Sequence, residues 1–326
     1  MPKALITSRD DKGRHAVHLF EIEYDKARLD DARAQRLNER GGELQEGIAK
    51  LIAELSVSNR FADEEMESSY TYPGEYKGPK PIEEQIKAIA KIFGLDPSQA
   101  LEYAKNLPAL PEGAEGWFAI PSVDALAKRH FPEVTDPVEK YCRAVQLVHA
   151  KIAEFRTFCN YREGQITPDH LRMHAHTART LEQIAETQKG DILIIAAELG
   201  MRHGNPIARS VRRAREVFID NEFGLGSVAG GSILLTHPER EVRWEQLHMV
   251  LPGDEFAPGA GGGFSFVPCF FFDDGKLKFD TRWLDYADQI LWLGVRLSPA
   301  VVLWTLGTFE PFWGFDFLSR GLTRHQ

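Results

Sequence analysis

Cysteine is scarce: Cys142, Cys159 and Cys269 are the only three in 326 residues. So few and so scattered, they supply neither a disulfide framework nor a Cys-rich metal site, and they fit a reducing, cytoplasmic setting. An apolar leader is missing too, since MPKALITSRDDKGR contains no h-region and supports no secretory signal. Positive charge is in deficit, with 39 Lys and Arg against 48 Asp and Glu and a net charge of −9. That balance argues against a surface that coats nucleic acid. No Gly-x-Ser-x-Gly and no cysteine placed with a general base occurs, so nucleophilic Ser or Cys mechanisms have no sequence support. The glycine spacing of a P-loop or a dinucleotide fingerprint is absent as well, and no motif indicates a cofactor. There are no internal repeats.

What is present reads as an ordinary globular chain. Hydrophobic residues make up 43% and charged residues 27%, and the length suggests two domains or three. The pattern predicts a short strand within residues 1–25, with Val17, Leu19 and Ile22 as its apolar positions. From Asp25 to Leu55 it predicts charged helix, broken at Gly41-Gly42 because glycine costs roughly 1 kcal/mol against alanine in a helix interior. Asn59 to Lys80, with its tyrosines among prolines and glycines, reads as a polar linker.

Punctuation is clearest between residues 81 and 155. Pro81 opens a helix striped by Ile82, Ile86, Ile89, Ala90 and Phe93; Gly94 closes it, and Asp96-Pro97 starts a second. A strand from Trp117 to Ile120 precedes a small helix from Ser122 to Arg129. Asp136-Pro137-Val138-Glu139 combines a cap, a first-turn proline and a capping-box acid. The stripe that follows, from Val138 to Phe155, holds a helical period and makes Cys142 a core residue. Thr167-Pro168 is expected to start a helix running to Gln188.

The organising stretch is Gly190 to Glu245: an apolar run, a polar turn, a basic helix and a second apolar run. This β–α–β pattern suggests neighbouring parallel strands covered by a helix. Beyond it, Asp273-Asp274-Gly275 between apolar runs signals a hairpin. The last segment is apolar and tryptophan-rich. Arg296, Pro299, Gly294 and Gly307 interrupt it, so a buried element or partner-binding surface is favoured over membrane contact.

Three constellations could carry chemistry. Arg202, His203, Arg209, Arg212 and Arg213 could hold an anionic group such as a phosphate, if the loop Gly200–Asn205 lies at the carboxyl end of a parallel strand. The blander reading is a solvated helix face over a buried stripe of Ile207, Val211, Ala214 and Phe218, with Arg212 reaching Glu216. His170 and His174, one helical turn apart, could grip a metal. A third ligand would have to come from elsewhere, with Glu198, His203, Asp254 and Glu255 as possible donors; the acid of an HExxH site is absent, and a polar residue in a first helical turn is unremarkable. The acidic pairs Asp254-Glu255 and Asp273-Asp274 are explained by turn chemistry.

The third constellation is a resemblance. IKAIAKIFGLDPSQALEYAKNL, within residues 82–106, resembles the helix-turn-helix of bacterial DNA-binding proteins, with Ala90 at the crossing and Gly94 in the turn. That resemblance implies nucleic-acid contacts from Ser98, Gln99 and Lys105, although Glu102 shares their helix and helical hairpins usually serve packing alone. More broadly, NYREGQITPDHLRMHAHTARTLEQIAETQKGDILIIAAELG and EFGLGSVAGGSILLTHPEREVRWEQL resemble a group of hypothetical proteins from uncultivated bacteria with small genomes, over roughly residues 80–280. No activity is assigned to that group, so the resemblance implies only a bacterial, cytoplasmic protein.

Together these features predict a mixed α/β protein. A helical N-terminal region with its linker occupies 1–79, a helical hairpin 80–115, an α/β domain with a β–α–β unit and a C-terminal hairpin 116–282, and the aromatic tail 283–326. The leading expectation is a non-enzymatic binding or regulatory protein with a nucleic-acid or protein partner. The rivals are an enzyme for a phosphorylated or other anionic small molecule, with or without a metal, and an interaction module that docks through its tail.

Overall fold

A computed structural model describes residues 6–111, 113–198, 207–218, 222–259, 261–287, 291–293 and 295–297. The chain divides into two compact units, Met1–Asn59 and Arg60–Gln326, taken separately below.

The first unit holds α1 (Asp11–Lys26), α2 (Asp31–Glu39) and α3 (Gly41–Leu55). The strand expected before residue 25 is a helix. Charged residues with good helix propensity surround Val17, Phe20 and Tyr24, which recur at i, i+3 and i+7, and this period outweighs the alternation of Val17 and Leu19. Asp30 caps α2 by accepting a hydrogen bond from the Arg33 amide, and the expected break falls at Arg40, where one helix ends and the next begins. None of the described residues of this unit is buried.

The second unit is mixed α/β, as predicted. In chain order it comprises β1 (Glu65–Glu67), α4 (Ile82–Phe93), α5 (Ser98–Ala104), β2 (Gly116–Pro121), α6 (Val123–His130), α7 (Pro137–Phe155), β3 (Phe158–Asn160), β4 (Leu171–Met173) and α8 (Ala175–Gln188). These lead to β5 (Ile192–Glu198), β6 (Ile207–Arg209), α9 (Val211–Val217), β7 (Glu222–Gly224), α10 (Ser227–Thr236), β8 (His248–Val250), β9 (Asp254–Phe256), β10 (Phe266–Asp273), β11 (Lys276–Trp283), β12 (Leu291–Leu293) and β13 (Val295–Leu297). β1 pairs with β6 alone. The order β2-β5-β13-β7 forms a four-stranded sheet, and β12-β8-β10-β11-β3, with β4 and β9 attached through β10, forms a seven-stranded one.

Two expectations for the organising stretch change. β5 and β7 do run in the same direction, but they are not neighbours: β13 lies between them, antiparallel to both. The second apolar run is the helix α10, not a strand. It is buried on every side except Leu235, so it carries no polar stripe, and a short apolar run cannot be told from a strand by periodicity. Its small residues let it lie in the middle of the core. A Cβ on Gly230 would meet Leu251 Cδ2 at 2.4 Å and one on Gly231 would meet Val148 Cγ1 at 2.5 Å.

A third correction concerns residues 167–174. His170 and Leu171 amides bond to the Thr167 carbonyl, but β4 follows, paired antiparallel with β9, and α8 starts only after His174. Strand pairing overrides the Thr-Pro start signal. The hairpin holds: Asp274 and Gly275 both take positive φ, 51° and 72°, between paired Asp273 and Lys276, as a two-residue primed turn requires. Among the described residues no helix is long and apolar enough to cross a membrane. The tail beyond residue 297 lies outside the described residues, while Leu291–Leu293 and Val295–Leu297 are sheet strands.

Candidate binding cavity

The site begins with the capping box at residue 136. Asp136 accepts the Glu139 amide at 2.8 Å and fixes the start of α7, which sets Tyr141 one turn in, buried. Across from it, β9 opens with Asp254, fully enclosed. The Tyr141 hydroxyl donates to Asp254 Oδ1 at 2.5 Å, and Asp254 Oδ2 accepts from the Ser227 amide at 2.7 Å and its hydroxyl at 2.5 Å. Asp254 therefore serves the N-terminus of α10, where free amides and the helix dipole favour negative charge. Gly226 has to be glycine, because a Cβ would come within 2.4 Å of the Tyr141 hydroxyl and 2.5 Å of Asp254 Oδ1. From α9, Arg215 donates to the backbone carbonyls of Pro252 (2.9 Å) and Asp254 (2.7 Å).

The electrostatics of this node are set by burial. Asp254 is pushed up to about 6 by desolvation, against the pull of hydrogen bonds from Ser227 and Tyr141. Burial also lifts Tyr141 well above the usual phenol range, with the Asp254 charge adding to it. The nearby His174 is pushed down to about 4, first by burial and then by the Arg215 charge, so it stays neutral.

Above Tyr141 and Gly226 lies a cavity of about 290 Å³. Ile120, Val123, Met173, Leu181, Leu193 and Val228 contribute to its walls, and Asp124, Lys140, Arg172 and Glu182 are its charged lining residues. Three of these are in ion pairs: Lys140 with Asp124 at 3.4 Å, and Arg172 with Glu255 at 2.7 Å. Arg172 also covers the Phe264 ring at 3.8 Å. The interior can thus receive apolar surface, and polar contacts are available from ion-paired side chains that can re-partner.

The residues singled out by sequence lie elsewhere or do different work. Arg202 and His203 lie outside the described residues. Arg209 and Arg213 both bond Glu65, at 2.8 and 2.7 Å, and Arg212 bonds Glu64. The basic segment is neither one helix nor a solvated face with Arg212 on Glu216. Ile207–Arg209 is a strand, and its arginines clamp the acidic strand β1 against β6. His170 Nδ1 lies 2.7 Å from the Ala257 carbonyl, and a strand separates it from His174, so the helical spacing that suggested a shared metal does not exist. Among the described residues no group of three His, Cys, Asp or Glu is placed to hold a metal. Ser98, Gln99 and Lys105 are exposed on α5, where Ser98 bonds Asp96 and Lys105 pairs with Glu102. Cys142 is core as expected, its thiol pushed up to about 12 by burial.

Sequence reasoning missed Tyr141, Asp254 and Ser227 as a unit. Tyr141 belongs to a helical apolar stripe and Asp254 to a turn, and 113 positions separate them.

A second buried cluster stands apart from the cavity. Arg240 pairs with Glu115 at 2.7 Å and lies 4.4 Å from the centroids of both Tyr72 and Tyr76. Both tyrosine hydroxyls donate to the same carboxylate. Beside it, His237 Nε2 accepts the Lys80 amide at 2.9 Å. Within the stretch expected to be a linker, Ser68, Pro73 and Tyr76 are buried, and Tyr72 and Tyr76 tie it to Glu115 and Arg240.

No family model, curated protein or solved structure matches this chain.

Proposed function

We propose that this chain is a non-enzymatic cytoplasmic binding protein whose ligand is a compact, largely apolar small molecule held between α6, α7, α8 and α10. The supporting observation is the apolar cavity itself, closed below by a hydrogen-bonded floor and lined in part by ion-paired charges. Such a pocket, with a few convergent polar groups and a perturbed acid, is where a ligand site is to be sought first. Binding is favoured over catalysis because both carboxylate oxygens of Asp254, the perturbed acid beneath this cavity, are already occupied by donors and face no open position. Nucleic-acid association through Ser98, Gln99 and Lys105 is the weaker reading, since Lys105 is neutralised by Glu102. The bacterial kinship of residues 80–280 belongs to the same proposal.

The test uses 1-octanol as a probe, titrated while methyl resonances are followed by NMR. Ile120, Leu193 and Val228 methyls should shift together and saturate. Ala185→Trp, which fills the cavity, should abolish those shifts while circular dichroism stays unchanged. Shifts that never saturate, or that survive in Ala185→Trp, would sink the cavity as the binding site.

A further inference from the structure

Among the described residues of the N-terminal unit no side chain is buried. Its three helices leave apolar side chains in solvent, and helices of this length are marginal in water without packing. On α1, Val17, Phe20 and Tyr24 are 43%, 46% and 40% exposed, and the Phe20 and Tyr24 ring centroids are 6.4 Å apart on one face. The carboxyl half of the same helix carries Glu21, Glu23 and Asp25. Acids there oppose the helix dipole, and of its neighbours only Lys26 answers them with a strong cation, pairing with Glu23 at 2.7 Å. The helix thus ends in an acidic half beside an exposed apolar face, and among the described residues neither Glu21 nor Asp25 is paired with a Lys or Arg.

The counterpart is found on α2 and α3. Together with Leu29 just before α2, they line a groove of about 700 Å³, with Leu29, Leu37 and Leu44 as its apolar contributors, Arg33, Arg36 and Arg40 as its cations and Glu39 and Glu43 as its acids. Arg40 is held by Glu43, but neither Arg33 nor Arg36 meets a carboxylate among the described residues. No residue of α1 lines the groove, so within this unit α1 leaves it unfilled.

We propose that the unit is a dimerisation module in which α1 of one copy seats its Val17–Phe20–Tyr24 face in the α2–α3 groove of a second copy, and reciprocally. A two-fold arrangement uses the same pair of surfaces twice, which doubles the apolar area removed from water and closes the assembly at two chains. Arg33 and Arg36 of each copy then meet Glu21, Glu23 and Asp25 of the other, giving register and orientation to an otherwise apolar contact.

Sedimentation of the full chain over about 1–100 µM reads the outcome. The wild type should be a dimer that weakens as salt rises. Arg33→Glu/Arg36→Glu and, separately, Glu21→Arg/Glu23→Arg should each raise the dimer dissociation constant at least about tenfold, with helix content unchanged by circular dichroism. An equimolar mixture of the two variants should restore the dimer, because each then offers the charge the other lacks on both contacts. A monomeric wild type would overturn the proposal and point to closure of the groove by the chain's own α1. A dimer indifferent to both variants, or a mixture that fails to re-associate, would overturn it equally.

Discussion

Two of the carboxylates drawn into the second unit, the half-buried Glu115 and the fully buried Asp254, are satisfied in opposite ways. Glu115 meets a cation: Arg240 pairs with it while Tyr72 and Tyr76 donate to it and flank the guanidinium. The Asp254 carboxylate accepts from no cationic side chain, only from two hydroxyls and the Ser227 amide at a helix N-terminus, while Arg215 reaches its backbone carbonyl. Neutral donors and a dipole do not fully offset burial, and Asp254 is left at about 6. The first arrangement is a lock that ties residues 72–76 to Arg240, in the turn that follows α10. The second is the floor of a cavity. The difference teaches that depth alone does not decide what a buried acid does; the charge of its donors does.

The largest effect should come from breaking the lock. Arg240→Met leaves Glu115 without its cation, and removing one partner of a buried pair typically costs 3–5 kcal/mol. Urea unfolding at neutral pH should register about that loss, and a loss under about 1 kcal/mol would mean that the two tyrosines suffice.

The cavity floor should differ in its pH dependence. Asp254 has a folded pKa raised from 3.8 to about 6, so its stabilising contribution is complete below the unfolded value and is lost as pH rises through 6. Compared with Asp254→Asn, the wild type should lose about 2–3 kcal/mol of unfolding free energy between pH 4 and pH 7. Parallel pH profiles for the two proteins would show that the carboxyl titrates in the folded chain as it does unfolded.

The lock should respond to pH in the other direction, and less. His237 is pushed down to about 4 by burial and then by the Lys80 charge. A histidine depressed in this way contributes stability above its unfolded pKa, which is lost as pH falls from 6.5 towards 4. Relative to pH 7, the wild type should lose about 2 kcal/mol at pH 5 through this residue. His237→Gln should remove that part of the acid slope, and an unchanged slope would place the titration elsewhere.

How much of this was legible depended on distance along the chain. Elements fixed by neighbouring residues read correctly: α7 from Asp136-Pro137 and Glu139, the end of α4 from Gly94, and the hairpin from Asp274-Gly275. Elements fixed by remote partners did not. β4 exists because β9 pairs with it, and α10 is helical because its small residues admit Val148, Leu251 and Phe270 on several sides. The candidate sites failed for the same reason. Arg209, Arg212 and Arg213 looked free because the acids that neutralise them lie 144 to 148 positions earlier. Asp254 looked like a turn residue because nothing local reveals that Tyr141 and Ser227 converge on it.

The position of β13 also sets a timetable for synthesis. β5 and β7 are held together through residues 295–297, so on the ribosome the upper edge of β5, Ala196–Glu198, stays unpaired while about a hundred further residues are made. At typical elongation rates that is about 5–20 seconds. Through that interval the nascent chain carries an apolar, hydrogen-bond-hungry strand edge of the kind that recruits other strands. Completion of this sheet is therefore a late event in synthesis.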